Sequence, residues 1–201
     1  TSIFNPFQED TLGIGGLVMF GGMIGAIISS YLYFKIKKVP FLPYADAVSV
    51  PFALGIFLTR VGCFLNGCCF GKATDSFWGV HFPNVSPAGY FQTAQKASML
   101  IPSQLIESAG GLLIALVLLL VGKLKTFVGF QFYLIVVLYT ILRFCVDFTR
   151  YYKIDEKIAS LSHNQIVCII FFVIFTGLIL KNFLYSNANV ESEKDVPEQA
   201  Q

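Results

Sequence analysis

Charge is what this sequence has least of. Of its 201 residues only 13% are Asp, Glu, Lys or Arg, against 55% that are hydrophobic, and the mean hydropathy is +0.69. A soluble domain of this length needs a solvated polar surface, which such a composition does not supply. The net charge of +2 is too small and too scattered for a nucleic-acid interface, so no nucleic-acid partner is expected. A charged start leading through an apolar stretch to a small-residue cleavage site is also missing, so no signal peptide is expected. The first residue is Thr1 rather than Met, as in a processed chain or one cut from something longer.

What is present is a series of apolar runs, each approaching the ~20 residues that span a bilayer as helix. The fold class expected is therefore all-α: a polytopic helical membrane protein with about five transmembrane helices and one larger extracytoplasmic loop. The runs extend from about Leu12 to Phe34, Tyr44 to Phe64, Ser103 to Val121, Phe127 to Phe148 and Gln165 to Leu184. The loop is residues 66–102, with Trp78 and His81. Residues 1–185 are expected to form a single transmembrane domain, and residues 186–201 a polar, disordered tail. Lys35-Ile36-Lys37-Lys38 and Lys123-Leu124-Lys125 mark the side that the positive-inside rule assigns to the cytoplasm. In the first run, Gly21 and Gly25 form a GxxxG step, which lets two helices approach closely in lipid.

Polar groups at bilayer depth cost from ~2.5 kcal/mol upward unless they face a cavity or a partner. Arg60 ends the second run; Gln104 and Glu107 open the third, three residues apart and so on one helix face. In the fourth run Tyr139, Arg143, Asp147 and Arg150 are spaced 4, 4 and 3, a single polar stripe on an otherwise apolar helix. One reading is local: Arg143 and Asp147 pair across one turn, and Arg150 snorkels to the interface. The other starts from Arg60, which the topology puts near the same membrane face as Arg143 and Arg150. Two or three arginines around one cavity, with Asp147 and Glu107 as counter-charges, suit a phosphate, because a guanidinium binds it bidentately and stays charged when partly desolvated. In a membrane that phosphate suggests a phospholipid headgroup.

Cys145 and Cys168 lie within apolar runs and read as small hydrophobes. Cys63, Cys68 and Cys69 supply three of the four ligands that a zinc site needs, but adjacent Cys68 and Cys69 are poorly placed to chelate together, and His81 and His163 are remote in sequence. A disulfide from Cys63 to Cys68 or Cys69 and simple packing both remain open. No metal and no cofactor are expected.

Thr59–Lys72, TRVGCFLNGCCFGK, resembles the signature of the bacterial prolipoprotein diacylglyceryl transferases, close to G-R-x-G-N-F-x-N-G-E-x-x-G, at Arg60, Gly62, Phe64, Asn66, Gly67 and Gly71. GGLVMFGG resembles that family's glycine-flanked histidine motif. Asp46 and Pro51 suit the start of the next helix. Ile101 to Glu107 resembles H-P-S-Q-L-Y-E, and Tyr139 to Arg150 resembles Y-G-x-x-R-x-x-x-E-x-x-R. Leu161 to Gln165 resembles the turn before the last helix. The resemblance covers about residues 13–181. It implies transfer of diacylglyceryl from phosphatidylglycerol to the thiol of a lipobox cysteine, with release of glycerol phosphate, at the bacterial cytoplasmic (inner) membrane. Carried over by position, Arg60 and Arg143 would hold the phosphate, with Glu107 and Asp147 as the acids beside them. Asn66 and Gly67 would shape the pocket wall, and Gln104, Tyr139 and Arg150 would complete the polar shell.

The departures bear on activity. Phe20 replaces the histidine of the first motif, Cys68 the acid after N-G, and Ile101 and Ile106 the histidine and tyrosine of the third motif. Two functions therefore stand side by side. One is a divergent transferase whose partners are phosphatidylglycerol, or a similar phospholipid, and a prolipoprotein lipobox peptide. The other is a non-catalytic relative that binds phospholipid as a subunit of a membrane complex.

Overall fold

The computed structural model describes residue 25 and residues 28–30, 32–124, 127–150, 157–158 and 161–194. Helix α1 is seen at residues 25, 28–30 and 32–37; most of the expected first span, with Phe20 and Gly21, lies outside the described residues. The chain divides into two compact units, Thr1–Phe41 and Leu42–Gln201, and the second carries everything below. Among the described residues, four helices are long and apolar enough to cross a membrane, so the chain is a polytopic helical membrane protein.

Helix α2, Phe41–Asn66, has 26 residues, about 39 Å at 1.5 Å per residue. It runs through Pro51, which withholds one backbone donor. Its buried residues Ala45, Ser49 and Ala53 recur every fourth position, so a stripe of small side chains faces the core. The helix stops where Gly67 turns left-handed, at φ +68. There the amides of Gly67 and Cys68 bond back to Phe64 and Cys63 carbonyls, each at 3.0 Å, and so satisfy the last turn.

Helix α4, Ser103–Val121, meets two neighbours through adjacent glycines. A Cβ on Gly111 would come within 3.1 Å of the Phe57 backbone nitrogen on α2, and one on Gly110 would run into Leu142. Small residues permit the close packing that apolar solvent does not otherwise drive. Ser108 adds a hydrogen bond from its hydroxyl to the Phe57 carbonyl, 3.0 Å. Ala53, Ile114, Ala115, Leu118 and Ile135 form the buried core of this bundle.

Helix α5 is Phe130–Asp147, shorter than the expected run from Phe127, because Gly129 at φ +94 precedes the first helical residue. Its start is capped from a distance: the Asp46 carboxylate accepts from the amides of Gly129, 2.6 Å, and Phe132, 2.9 Å. That places a negative charge at the positive end of α5. Helix α6, His163–Lys194, continues past Ser186, where a disordered tail was expected to begin. From Leu178 to Lys194 no Gly or Pro interrupts it, and residues 195–201 lie outside the described residues.

The expected loop over 66–102 is largely ordered. It holds a small antiparallel pair, β1 (Ala73–Thr74) with β2 (Met99–Leu100), and the short helix α3, Pro87–Gln95, capped by the Ser86 hydroxyl. Phe82, Ala88 and Leu100 give it a core of its own. Gln92 stitches that core by accepting from the Phe82 amide, 2.8 Å, and donating to the Ser98 carbonyl, 3.1 Å. A second pair, β3 (Lys157–Ile158) with β4 (Leu161–Ser162), precedes α6.

Candidate functional site

The side chain of Glu107 is wholly buried in the first turns of α4, and a carboxylate at that depth needs cationic partners. They do so from three directions. Arg60 of α2 comes within 2.9 Å, Arg143 of α5 within 3.4 Å, and Arg150, just past the end of α5, within 3.7 Å. Arg143 also reaches Asp147 at 3.9 Å. The arginine side chains keep 19%, 14% and 16% of their exposure, so each has one edge toward Glu107 and a remainder outside the protein interior. Three guanidinium groups face two carboxylates, which leaves a formal surplus of one positive charge. Arg150 Nε and Nη2 and Gln104 Oε1 are buried without a hydrogen-bond partner among the described residues. The local reading of the α5 stripe was thus half of the arrangement: Arg143 and Asp147 do approach, and the shared partner is Glu107.

Asp147 has a second task. It accepts from the Ser162 hydroxyl, and Ser162 caps α6: its hydroxyl takes the Gln165 amide, 3.2 Å, while Gln165 Oε1 takes the Ser162 amide, 3.0 Å. This reciprocal capping box hangs the start of α6 on the end of α5. The S-x-x-Q spacing at Ser162 was the available signal for it.

Gly71 explains why a glycine ends the cysteine-rich stretch. Its amide bonds the Ile101 carbonyl, 2.9 Å, the next amide, of Lys72, bonds Thr149, 2.9 Å, and Gly71 bridges Arg150. A Cβ there would lie 2.6 Å from the Thr149 carbonyl oxygen and strike Ser103 Oγ. Ser103 and Thr149 share a hydroxyl contact of 2.7 Å. These backbone ties bring the starts of α4 and the end of α5 together beneath the arginines.

The remaining expected residues divide. Tyr139 sits beside Arg143 in the wall of a cavity of about 280 Å³ that Phe52, Ile135, Asn164 and Phe171 also line. An apolar cavity of about 230 Å³, lined by Phe144, Ile169 and Phe172 among others, lies between α5 and α6. Gln104, wholly buried, donates to the Cys68 carbonyl, 2.7 Å. Asn66 is exposed at the end of α2 and bonds the Cys68 thiol. Gly67 serves the turn itself: a Cβ would lie 2.7 Å from Ser86 Cβ. Asn66 and Gly67 thus stand with the cysteines.

All five cysteines are free thiols. The sulfurs of Cys63, Cys68 and Cys69 lie within 4.8 Å of one another, which corrects the expectation that Cys68 and Cys69 are poorly placed to act together. Cys69 has φ +60, and this left-handed backbone turns two consecutive side chains to one side at a steric cost. Burial pushes the Cys68 thiol up to about 11, although the Asn66 hydrogen bond acts in the opposite direction.

Comparison with known proteins identifies the family. The family model for prolipoprotein diacylglyceryl transferase matches residues 3–181. The chain is similar to phosphatidylglycerol–prolipoprotein diacylglyceryl transferases of Campylobacter lari, 30% identical over 90% of this chain and 63% of the relative, and of Campylobacter curvus, 33% identical over 92% and 64%. A third relative, from Clostridium tetani, is 36% identical over 90% of this chain and 68% of its own length. The chain thus spans just under two thirds of the length of the two Campylobacter proteins.

Proposed function

The chain belongs to the prolipoprotein diacylglyceryl transferase family, and from that premise we propose that it binds phosphatidylglycerol and transfers its diacylglyceryl group to the cysteine thiol of a lipobox peptide. The observation that carries the reading is the convergence of Arg60, Arg143 and Arg150 on one buried carboxylate, with a surplus positive charge. A phosphate is the complement of such a cluster: planar guanidinium groups bind its oxygens in pairs, and Glu107 holds them at fixed positions before the lipid arrives. The cavity beside Tyr139 and Arg143, with the apolar one between α5 and α6, suits acyl chains whose headgroup sits at the arginines.

In this reaction the thiol sulfur attacks the glyceryl carbon that carries the phosphate. A carbon–sulfur bond forms, the carbon–oxygen bond breaks, and glycerol phosphate leaves with the electron pair. Arg60 and Arg143 stabilise the charge on that leaving group. The thiol proton passes to Asp147, Glu107 or a water held by them. Gln104, Tyr139 and Arg150 complete the polar surroundings, and Asn66 and Gly67 form the rim at the end of α2. The protein works in the bacterial cytoplasmic membrane.

A second reading rests on a separate observation. Glu107 is engaged by three arginines and Asp147 by Arg143 and Ser162, so both carboxylates already have partners. A relative that kept the headgroup site without a free base would bind phospholipid as a subunit of a membrane complex. Both readings are tested with the purified chain in phosphatidylglycerol nanodiscs and a synthetic lipobox peptide. A peptide mass increase of one diacylglyceryl group, with stoichiometric glycerol phosphate, is expected. Lipid binding without any mass increase would favour the subunit, and loss of both would refute the phosphate site.

A further inference from the structure

We propose that Cys63, Cys68 and Cys69 form a three-sulfur site for a thiophilic monovalent cation of the Cu(I) class. The inference does not depend on the transferase reading. Three conditions of such a site are met by separate features. The first is distance. A trigonal ion with metal–sulfur bonds of about 2.3 Å holds its sulfurs about 4 Å apart, and these three lie within 4.8 Å of one another. Only small side-chain rotations separate the present arrangement from ligation.

The second condition is preorganisation. Consecutive residues ordinarily send their side chains apart, yet Cys68 and Cys69 converge because Cys69 adopts a left-handed backbone, φ +60. A non-glycine residue in that region carries strain, and the surrounding structure enforces it. Gly67 beside it is also left-handed, the Cys68 amide is tied to the Cys63 carbonyl, 3.0 Å, and the Cys68 carbonyl is tied to Gln104, 2.7 Å. The loop is thereby held on both sides in the shape that gathers the sulfurs.

The third condition is donor chemistry. All three ligands are soft, and among the described residues no His, Asp, Glu or further Cys joins the group. Structural zinc takes four ligands, and hard cations take oxygen; three thiolates alone select a soft ion with low coordination number. Binding balances as Cu⁺ plus three thiols giving a tris-thiolate complex of charge −2 and three protons. Arg60, in electrostatic contact with Cys63 and Cys69, offsets part of that charge. Half-buried Cys63 and Cys68 and exposed Cys69 leave one side of the site open for entry of the ion.

The test uses the full chain, purified anaerobically under a phosphine reductant and titrated with Cu(I) against bicinchoninate. One tightly held equivalent is expected. X-ray absorption should show three sulfurs at about 2.3 Å and no nitrogen ligand. Bound Cu(I) should protect the three thiols, but not Cys145, from alkylation. Each of C63S, C68S and C69S should weaken binding by more than the ~10–100-fold that outer-sphere changes cost, while C145S leaves it unchanged. Equal binding by the C63S/C68S/C69S chain would overturn the proposal, as would a Cys63–Cys68 disulfide persisting under the same reductant. So would an X-ray absorption spectrum of the unaltered chain with two sulfurs or with nitrogen ligands, whatever the variants do.

Discussion

Arg60 Nη2 lies 2.9 Å from Glu107 Oε1, and the Glu107 side chain has no exposure at all. Two helices distant in sequence are therefore joined by a buried charge pair, and Arg143 and Arg150 share the same carboxylate. The arrangement gathers three guanidinium groups around one carboxylate and keeps them in fixed orientation.

Removing Glu107 should be costly, because it strands three guanidinium groups. Breaking a buried pair by deleting one partner costs about 3–5 kcal/mol. E107A is expected to lower the thermal midpoint of the detergent-solubilised chain sharply, and E107Q to do so by less, since an amide oxygen still accepts. Equal midpoints for the wild-type and E107A chains would show that the three arginines are satisfied without Glu107.

Arg143 and Arg60 should not tolerate lysine. Lysine keeps the charge but loses the planar fork that holds two phosphate oxygens. R143K and R60K are each expected to lower retention of phosphatidylglycerol in nanodiscs by about tenfold, with fold retained by circular dichroism. An uncharged diacylglycerol should bind both variants as it binds the wild type, since it offers no phosphate. If the lysine variants lose diacylglycerol equally, the loss lies in the cavity and not in phosphate recognition.

The α5 stripe was readable because helical periodicity alone places Tyr139, Arg143, Asp147 and Arg150 on one face, and because a buried charge demands a partner. The third apolar run, Ser103–Val121, was readable to the residue as helix α4: Pro102 precedes it and Gly122 follows it. What could not be read was tertiary. Nothing local in the sequence says that Glu107 rather than Asp147 gathers the arginines, since that depends on how α2, α4 and α5 cross. Gly71 matched a motif, but its reason is the approach of the Ile101 and Thr149 backbones. The convergence of Cys68 and Cys69 depends on one unusual φ value, which cysteine propensities disfavour.

Asp46 gives a prediction about the fold alone. Its carboxylate accepts from the Gly129 and Phe132 amides at the start of α5, combining capping with a favourable charge–dipole contact. D46A should cost about 1–2 kcal/mol, read as a lower thermal midpoint. D46N should recover part of that, because the amide oxygen still accepts from one backbone donor. A D46N chain as unstable as D46A would mean that the charge, and not the hydrogen bonds, carries the effect.

Gly71→Ala should fail more severely than its one added methyl suggests. The new Cβ would meet the Thr149 carbonyl and Ser103 Oγ, and neither backbone segment has space to retreat without breaking the Gly71–Ile101 and Lys72–Thr149 hydrogen bonds. Overpacking of this kind costs about 1–3 kcal/mol, and here it would also shift Arg150, which Gly71 bridges. G71A is expected to reduce phosphatidylglycerol retention more than D46A does at matched thermal stability. Similar retention in the two would separate Gly71 from the arginine cluster.

Cys68 gives a prediction with a definite pH dependence. Its thiol lies at about 11 rather than at its ordinary value of 9.0 because burial disfavours the thiolate, so well below pH 9 it holds about 100-fold less thiolate than an unperturbed thiol. The thiolate is the reacting form. Alkylation of the metal-free, reduced chain at pH 8 should therefore label exposed Cys69 well before Cys68. The Cys68 rate should rise about tenfold per pH unit until near pH 11. The raised value means that folding favours the neutral thiol, a contribution fully present below pH 9 and lost as pH rises through 11. Removing the hydrogen bond from Asn66, which favours the thiolate, should slow the reaction further in N66A. A Cys68 rate in N66A equal to or above that of the wild type would show that Asn66 does not act on this thiol.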